Sequence, residues 1–184
     1  VFSRDPLEIF RQAQVFRDKL NYNQLSIKVQ IGWNELEVIR KLKEENFSVN
    51  CTCCMSVNQA VLAAASGARY VSLFWGRIRD SGIAILNPEH DLKRKNAKRS
   101  GILDKKDFDP SLVINMTRIL LDKSYPDVEI IAGSIRKATD IRDAGLAGAH
   151  IVTVPPKFFS QMVEHFKAEE VVEQFLSDFK KWLL

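Results

Sequence analysis

The feature that most constrains the fold is an alternation of two kinds of segment along the chain. Short runs of β-branched and other apolar residues predict strands, and the longer segments between them, with apolar residues three and four apart, predict helices. Repeated βα units of this kind imply a parallel sheet. We predict strands at 1–3, 25–31, 48–52, 69–74, 128–132 and 150–154. We predict helices at 6–20, 33–45, 56–65, 110–123, 138–144 and 169–184.

Local signals mark several helix ends. Asp5, Ser56 and Asp109 each precede a helical segment and are N-cap residue types. Gly67 and Gly145 stand just before strands, where a glycine past a C-cap is expected.

The connection after the strand at 69–74 is unusually long. We interpret 79–109 as a basic βα loop inserted into one domain, 1–184, that ends in the helix at 169–184. The excess of positive charge lies in its run at 90–106, which has no interleaved aromatic residues, so a solvated loop is favoured and no nucleic-acid partner is expected. Its place after the carboxyl end of a strand suggests a lid over a ligand site.

The strands themselves have one polar face. Lys28 stands between Ile27 and Val29 in an otherwise apolar run, and period-two alternation places it on the opposite face, with Ser26 and Gln30. The same reading assigns Asn50, Thr52, Tyr70, Ser72, Phe74, Ala132 and Ser134 to the polar face, with Ile131 opposite. Both faces of a parallel sheet are normally covered, so a polar face fits the lumen of a β/α barrel. The alternative without a functional role is that the Lys28 ammonium reaches solvent near a strand end.

Several classes of site and location are disfavoured. Cys51, Cys53 and Cys54 are too close together for ordinary disulfide geometry, and no second Cys or His cluster accompanies them as metal ligands. We therefore expect packed thiols, no metal, a reducing compartment and a cytoplasmic protein. No apolar run approaches the ~20 residues that cross a membrane, and the first residues lack signal-peptide features, so no membrane partner is expected.

Four stretches carry a family resemblance. SIKVQIGWNELEVIRKLKEENFSVNCTCCMS, AVLAAASGARYVSLFWGRI, IIAGSIRKATDIRDAGLAGAHIVTVPPK and VVEQFLSDFKKWL follow one another in an order that resembles the transaldolase family, including its smaller branch of fructose-6-phosphate aldolase type. The resemblance implies a TIM (β/α)8 barrel of class I aldolase type. It also implies that the chemistry needs no cofactor. It also implies transfer of a dihydroxyacetone unit from a ketose phosphate to an aldose phosphate, a reaction of the pentose phosphate pathway.

Three of the resembling positions carry the chemistry. Lys28 resembles the lysine that forms a Schiff base with the ketose phosphate, and partial desolvation in a barrel lumen would lower the pKa of its ammonium and supply a neutral amine. Asn50 and Thr52 resemble residues that position the intermediate and a catalytic water. Without the resemblance, polar packing inside a barrel would explain these two.

Three further residues resemble family residues that bind the substrate, namely Ser72, Phe74 and Trp33. Ser72 and Phe74 belong to SLFWGR, which is similar to a family SPFxGR motif with Leu73 in place of proline. Phe74 resembles transaldolases, whereas the simple aldolases have a tyrosine that transfers protons.

A phosphate site is implied by Arg77, Ser134 and Arg136, which resemble the family's anion-binding residues. Guanidinium groups suit phosphate oxygens because they donate two hydrogen bonds in a fixed plane. A lone arginine would be read as a surface ion pair.

The chain departs from the family in its first part. The resemblance begins at the third barrel strand, so two β/α units are absent from this chain. Absent with them are the family's proton-shuttling aspartate, its Thr-Asn-Pro motif and a water-binding glutamate. We expect a partial version of a longer protein; completion by another polypeptide and a degenerate paralogue are the alternatives. Gln30 stands where the family more often has an apolar or small residue, and Gly32 stands where it more often has a threonine.

The alternatives for function are a non-catalytic sugar-phosphate-binding or structural paralogue and a simple fructose-6-phosphate aldolase. The terminal helix resembles one that packs between subunits in the smaller family members, which suggests a homo-oligomer.

Overall fold

The computed structural model describes residues 1–83 and 88–182. Its strands are β1 (Ser26–Gln30), β2 (Ser48–Cys54), β3 (Tyr70–Phe74), β4 (Glu129–Gly133) and β5 (Ile151–Val152). Its helices are α1 (Pro6–Leu20), α2 (Trp33–Glu44), α3 (Val57–Ala65), α4 (Trp75–Gly82), α5 (Pro88–Arg99), α6 (Pro110–Ser124), α7 (Ala138–Leu146), α8 (Phe159–Val163) and α9 (Phe166–Trp182). Short 3-10 helices span Lys106–Phe108 and Pro156–Phe158.

The five strands form one parallel sheet in which the spatial order is the chain order, β1-β2-β3-β4-β5. A doubly wound sheet reverses its strand order at a switch point, and these strands show no such reversal. Right-handed crossovers without a reversal put the connecting helices on one face, and α2, α3 and α6 contact the strands. The predicted α/β fold with a parallel sheet is confirmed.

The helix-facing side of the sheet is an apolar layer. Val29, Cys51, Val71 and Ile130 lie side by side in the strand register and are fully buried. The predicted facing of β4 is wrong, because Ile130 pairs with Val71 while Ile131 pairs with Ser72 on the opposite face. Consecutive isoleucines satisfy period two in either phase, so only the pairing with β3 decides between them.

A β-bulge interrupts β2 beside β3. Cys51 pairs with Val71 and Cys54 with Leu73, so β2 has one residue more than β3 over this interval. Cys53 takes up the extra residue with a left-handed backbone, φ 63°. The bulge shifts the phase of alternation, so Cys54 returns to the buried face.

The predicted basic loop at 79–109 is largely helical where the structure describes it; residues 84–87 lie outside the described residues. α4 follows β3 directly, and α5 buries no residue at all. Ion pairs one turn apart support α5, from Lys93 to Glu89 (2.5 Å) and from Lys95 to Asp91 (2.7 Å). A helix held mainly by such pairs has no apolar period, which explains why the sequence pattern missed it.

Three predicted helix starts are confirmed. The side chains of Asp5, Ser56 and Asp109 each accept a hydrogen bond from a first-turn backbone N–H of α1, α3 and α6. Gly67 follows α3 with φ 99°, as predicted, but Gly145 lies inside α7 and it is Gly148 (φ 106°) that follows the helix.

No strand forms at 1–3, contrary to the prediction. The segment still lies along β1, since the backbone nitrogen of Val1 donates to the carbonyl oxygen of Lys28 (3.1 Å) and Gln30 Nε2 donates to that of Ser3 (2.7 Å).

The chain divides into two compact units, Val1–Thr153 and Val154–Leu184. The second unit contains α8 and α9; the predicted helix at 169–184 corresponds to α9, and residues 183–184 lie outside the described residues. α9 carries an exposed apolar stripe at helical spacing, formed by Val172, Phe175, Leu176, Phe179 and Trp182. Among the described helices, none has both the length and the apolar character to span a membrane.

Candidate active site

Lys28 projects from the polar face at the centre of β1. Its neighbours Ile27 and Val29 are buried on the helix side, whereas the Lys28 side chain is exposed. The partial burial expected for this ammonium is therefore wrong for the described chain. The expectation required a covered polar face, but the side chains that share it with Lys28, such as Gln30 and Asn50, are only half-buried.

Asn50 and Ser72 extend the polar face across the next two strands. Asn50 lies directly opposite Lys28 in the register, and Ser72 Oγ donates to Asn50 Oδ1 (2.7 Å). This bond satisfies the amide oxygen of Asn50 and leaves its NH₂ group to donate to another acceptor. The sheet thus holds an amine and an amide donor on adjacent strands, roughly 5 Å apart at the backbone.

Thr52 lies one step further along β2, opposite Gln30, and is 9% exposed. It immediately precedes the bulge at Cys53, so its position depends on that irregular backbone. The structure thus places Lys28, Asn50, Thr52 and Ser72 on one face.

Phe74 closes the polar face at the carboxyl end of β3. It lies opposite Gly133, where an added Cβ would be 3.3 Å from Phe74 Cδ1, so the ring rests against bare backbone. Trp33 lies apart from these residues. Its indole is 82% exposed and lines a surface groove with residues of α2 and α3, Leu36 and Leu62 among them.

A buried carboxylate explains the two departures at Gln30 and Gly32. Glu35 is 2% exposed, and its Oε1 accepts from Arg4 Nε (3.0 Å) and Gln30 Nε2 (3.2 Å). A Cβ at position 32 would lie 2.0 Å from Glu35 Oε2. Glycine at 32 therefore leaves the space that Glu35 occupies, and Gln30 supplies one of its hydrogen bonds.

The predicted phosphate residues gather where α4 meets the turn after β4. The backbone N–H of Gly76 donates to the carbonyl oxygen of Ser134 (3.1 Å), which joins the two segments. Arg77, in the first turn of α4, is exposed, and its guanidinium makes no hydrogen bond or ion pair within residues 1–83 and 88–182. Arg136 is also exposed, and its Nη2 donates to Asp80 Oδ2 (2.5 Å). Arg77 and Arg136 thus belong to the two segments that this backbone bond joins.

Asp140 holds the turn after β4 through hydrogen bonds to its backbone. Its carboxylate is 3% exposed and accepts from the backbone N–H groups of Arg136 (3.0 Å) and Lys137 (3.1 Å) and from Arg79 Nη1 (2.8 Å). Burial alone would raise the pKa of Asp140, but the hydrogen bonds and the positive charge of Arg79 outweigh it and hold the pKa below its ordinary 3.8.

Sequence reasoning missed the residues that hold the site, namely Arg79, Asp80, Asp140 and Glu35. Asp140 and Glu35 each stand at the third position of a helix, where a carboxylate commonly binds backbone N–H groups. That position was the available signal. Within the described residues, no group of three His, Cys, Asp or Glu side chains is arranged to hold a metal ion.

The junction between α4 and the turn after β4 requires glycine at 76. We expect Gly76→Ala to lower the free energy of unfolding by about 1–3 kcal/mol, because its Cβ must displace packed backbone. That Cβ would stand 2.5 Å from the carbonyl oxygen of Ser134. Urea unfolding measures the change. The matched control is Gly145→Ala in α7, where the Cβ meets nothing within 4 Å; it should stabilise by about 0.5–1 kcal/mol through helix propensity. Equal changes in the two variants would contradict the steric argument.

Asp140 should give the protein an acid-labile contribution to stability. Because its pKa is lowered in the folded state, this contribution is complete above the ordinary, unfolded pKa of 3.8 and is lost as the pH falls through the folded value. Asp140→Asn should cost about 2–3 kcal/mol at pH 7, since it leaves Arg79 without its counter-ion. The deficit should shrink below about pH 4.

Unfolding midpoints in urea at several pH values measure this effect. Asp127→Asn is the control, since Asp127 is exposed and its side chain makes no ion pair in the described part of the chain. Parallel acid profiles for the wild-type protein and Asp140→Asn would refute the assignment.

Comparison with known proteins gives one family. The family model described as Transaldolase/Fructose-6-phosphate aldolase matches residues 1–183. A "Probable transaldolase" of Parvibaculum lavamentivorans is 33% identical over 159 residues, which cover 85% of this chain and 61% of that protein. A "Probable transaldolase" of Chelativorans sp. is 33% identical over 174 residues, or 95% of this chain and 68% of that protein.

A third relative, the "Probable transaldolase" of Caulobacter sp., is 33% identical over 152 residues, covering 83% of this chain and 58% of its own length. The chain therefore spans roughly three fifths of the length of the curated relatives that it matches. With a family model that covers nearly every residue, the chain belongs to the transaldolase/fructose-6-phosphate aldolase family.

Proposed function

We propose that the protein is a transaldolase in which Lys28 forms a Schiff base with a ketose phosphate. The observation that carries the proposal is the placement of Lys28 alone among buried apolar neighbours, directly opposite an Asn50 whose amide is oriented by Ser72. The neutral amine of Lys28 attacks the C2 carbonyl and water leaves. Cleavage between C3 and C4, in which the C4 hydroxyl loses its proton to water, then releases an aldose phosphate and leaves a dihydroxyacetone unit on the lysine as an enamine.

The enamine attacks the carbonyl carbon of an acceptor aldose phosphate, and hydrolysis of the new Schiff base frees Lys28 again. In this scheme the NH₂ group of Asn50 donates to a hydroxyl oxygen of the bound sugar. The hydroxyl of Thr52 lies on the same face and holds the water that enters in hydrolysis. Ser72 orients Asn50 through the bond between their side chains.

Arg77, Ser134 and Arg136 hold the phosphate of both sugars. Arg77 carries most of this role, because its guanidinium has no competing partner in the described ranges 1–83 and 88–182, whereas Arg136 is shared with Asp80. The bond from Gly76 to Ser134 keeps the two segments at a constant separation. We assign Trp33 no direct contact, since it lies in a groove of α2 and α3.

The side chain at position 74 favours transfer over simple cleavage. A phenyl ring at Phe74 has no proton to exchange, so it does not assist protonation of the enamine and release of free dihydroxyacetone. The enamine then survives until an acceptor arrives. The simple aldolase is the lesser candidate for this reason.

The consecutive order of five parallel strands supports a (β/α)8 barrel for the whole protein, in which further β/α units would cover the polar face of the sheet. The greater length of the relatives supports the same view. The pathway, the cytoplasmic location and a homo-oligomer remain predictions. The exposed side chain of Lys28 favours the non-catalytic sugar-phosphate-binding alternative as second candidate.

Reductive trapping tests the proposal on the natural full-length protein. Incubation with fructose 6-phosphate and borohydride should leave a covalent adduct that peptide mass mapping locates on Lys28. Omission of borohydride is the control. Thermal stabilisation by the sugar phosphate with no adduct would instead establish the non-catalytic alternative.

A further inference from the structure

The three cysteines of β2 are arranged by the bulge. In a regular strand, residues three apart point to opposite faces, so Cys51 and Cys54 should be separated by the sheet. The extra residue at Cys53 shifts the phase, and both Cys51 and Cys54 are fully buried on the helix side. Their Sγ atoms lie 3.9 Å apart. All three thiols are free in the structure, as the sequence predicts, but only Cys51 and Cys54 are packed, whereas Cys53 is exposed.

The two thiols form a contact of their own within the apolar layer. Cys54 Sγ donates to Cys51 Sγ and also lies 3.8 Å from the carbonyl oxygen of Cys51. The hydrogen bond with Cys51, together with burial, raises the pKa of Cys54, so the Cys54 thiol is protonated and slow to react at rest. Cys53 lies between them in sequence and is exposed, with φ 63°. The segment that must move to bring the sulfurs together is thus short and irregular.

We propose that Cys51 and Cys54 are an oxidisable dithiol that closes to a disulfide under a hydroperoxide or a diazene oxidant. The S–H bonds of both cysteines break and one S–S bond forms. The two electrons and two hydrogens pass to the oxidant, giving water and an alcohol from a hydroperoxide or a hydrazine from a diazene. Closure shortens the sulfur separation from 3.9 Å to about 2.05 Å.

Closure also has a consequence for the polar face. Thr52 and Cys53 are the two residues within the ring that the disulfide closes, and Thr52 lies on the face of Lys28 and Asn50. If the proposed transaldolase activity holds, oxidation lowers turnover and a thiol reductant restores it. The disulfide itself is measured without reference to any activity.

The test uses the Cys53→Ser variant of the full-length protein, which leaves the buried pair intact. Treatment of the folded protein with diamide or hydrogen peroxide should lower its mass by about 2 Da, the loss of two hydrogens, and a thiol reductant should reverse the change. Peptide mapping should locate the link between Cys51 and Cys54. Cys54→Ala in the same background should show no mass decrease.

The proposal is overturned if Cys53→Ser remains a dithiol under conditions that fully oxidise Cys53 in the wild-type protein. A link that forms only after unfolding in urea also overturns it, because the native contact would then be irrelevant. An adduct on Lys28 with no link between the cysteines would leave the transaldolase proposal standing and remove this one.

Discussion

Lys28→Arg is expected to eliminate the borohydride-trapped adduct and to lower turnover of a ketose phosphate by on the order of 10³-fold or more. Arginine keeps the positive charge and nearly the length of lysine, but its guanidinium stays protonated and cannot attack a carbonyl. The side chain at 28 is exposed, so the free energy of unfolding should change by no more than about 0.5 kcal/mol. A loss of activity without a loss of stability assigns the effect to chemistry.

The control is Lys19→Arg at the end of α1, a lysine that is exposed like Lys28 but lies on a helix and not on the sheet. It should retain both the adduct and the turnover. Persistent labelling of Lys28→Arg at another lysine would show that the nucleophile had been assigned wrongly, whatever the fate of the activity.

Arg77→Ala is expected to raise the KM for a phosphorylated ketose roughly 30- to 150-fold, equivalent to about 2–3 kcal/mol for a charge-assisted hydrogen bond. The guanidinium of Arg77 has no partner within the described ranges, so its removal breaks no internal bond. The KM for unphosphorylated fructose should stay unchanged, because that ketose has no anion to bind. Steady-state kinetics with both substrates measure the difference.

Arg99→Ala in α5 controls for net charge, since Arg99 is exposed and lies outside the proposed anion site. It should leave both KM values unaltered. An equal rise in KM for the phosphorylated and unphosphorylated substrates of Arg77→Ala would count against a phosphate contact.

Much of the fold follows from patterns within single segments. The helix predicted at 6–20 coincides with α1, and its start follows from Asp5 and the fixed φ of Pro6. Such features depend only on residues that are close in the chain, so the local sequence is sufficient to predict them. α5 departs from this rule because its stability comes from ion pairs rather than from an apolar face.

The candidate site divides in the same way. Period two was sufficient to group Lys28, Asn50 and Ser72 on one face, and the family resemblance supplied their proposed roles. The bond from Ser72 to Asn50 and the pairing of Lys28 with Asn50 join residues 22 positions apart. No local pattern specifies which residues of two distant strands stand opposite each other.

By itself, the sequence determined the repeating βα units, most helix starts and the chemical types on the polar face, because these depend on side-chain chemistry and short-range backbone preference. Only the tertiary structure decided the phase of β4, the bulge that brings Cys51 and Cys54 together, and the burial of Glu35 and Asp140. The physical reason is that strand register and burial are set by packing between segments far apart in the chain. Each segment alone is compatible with several registers. The register that buries the most apolar surface and pairs the most polar groups is the one that forms.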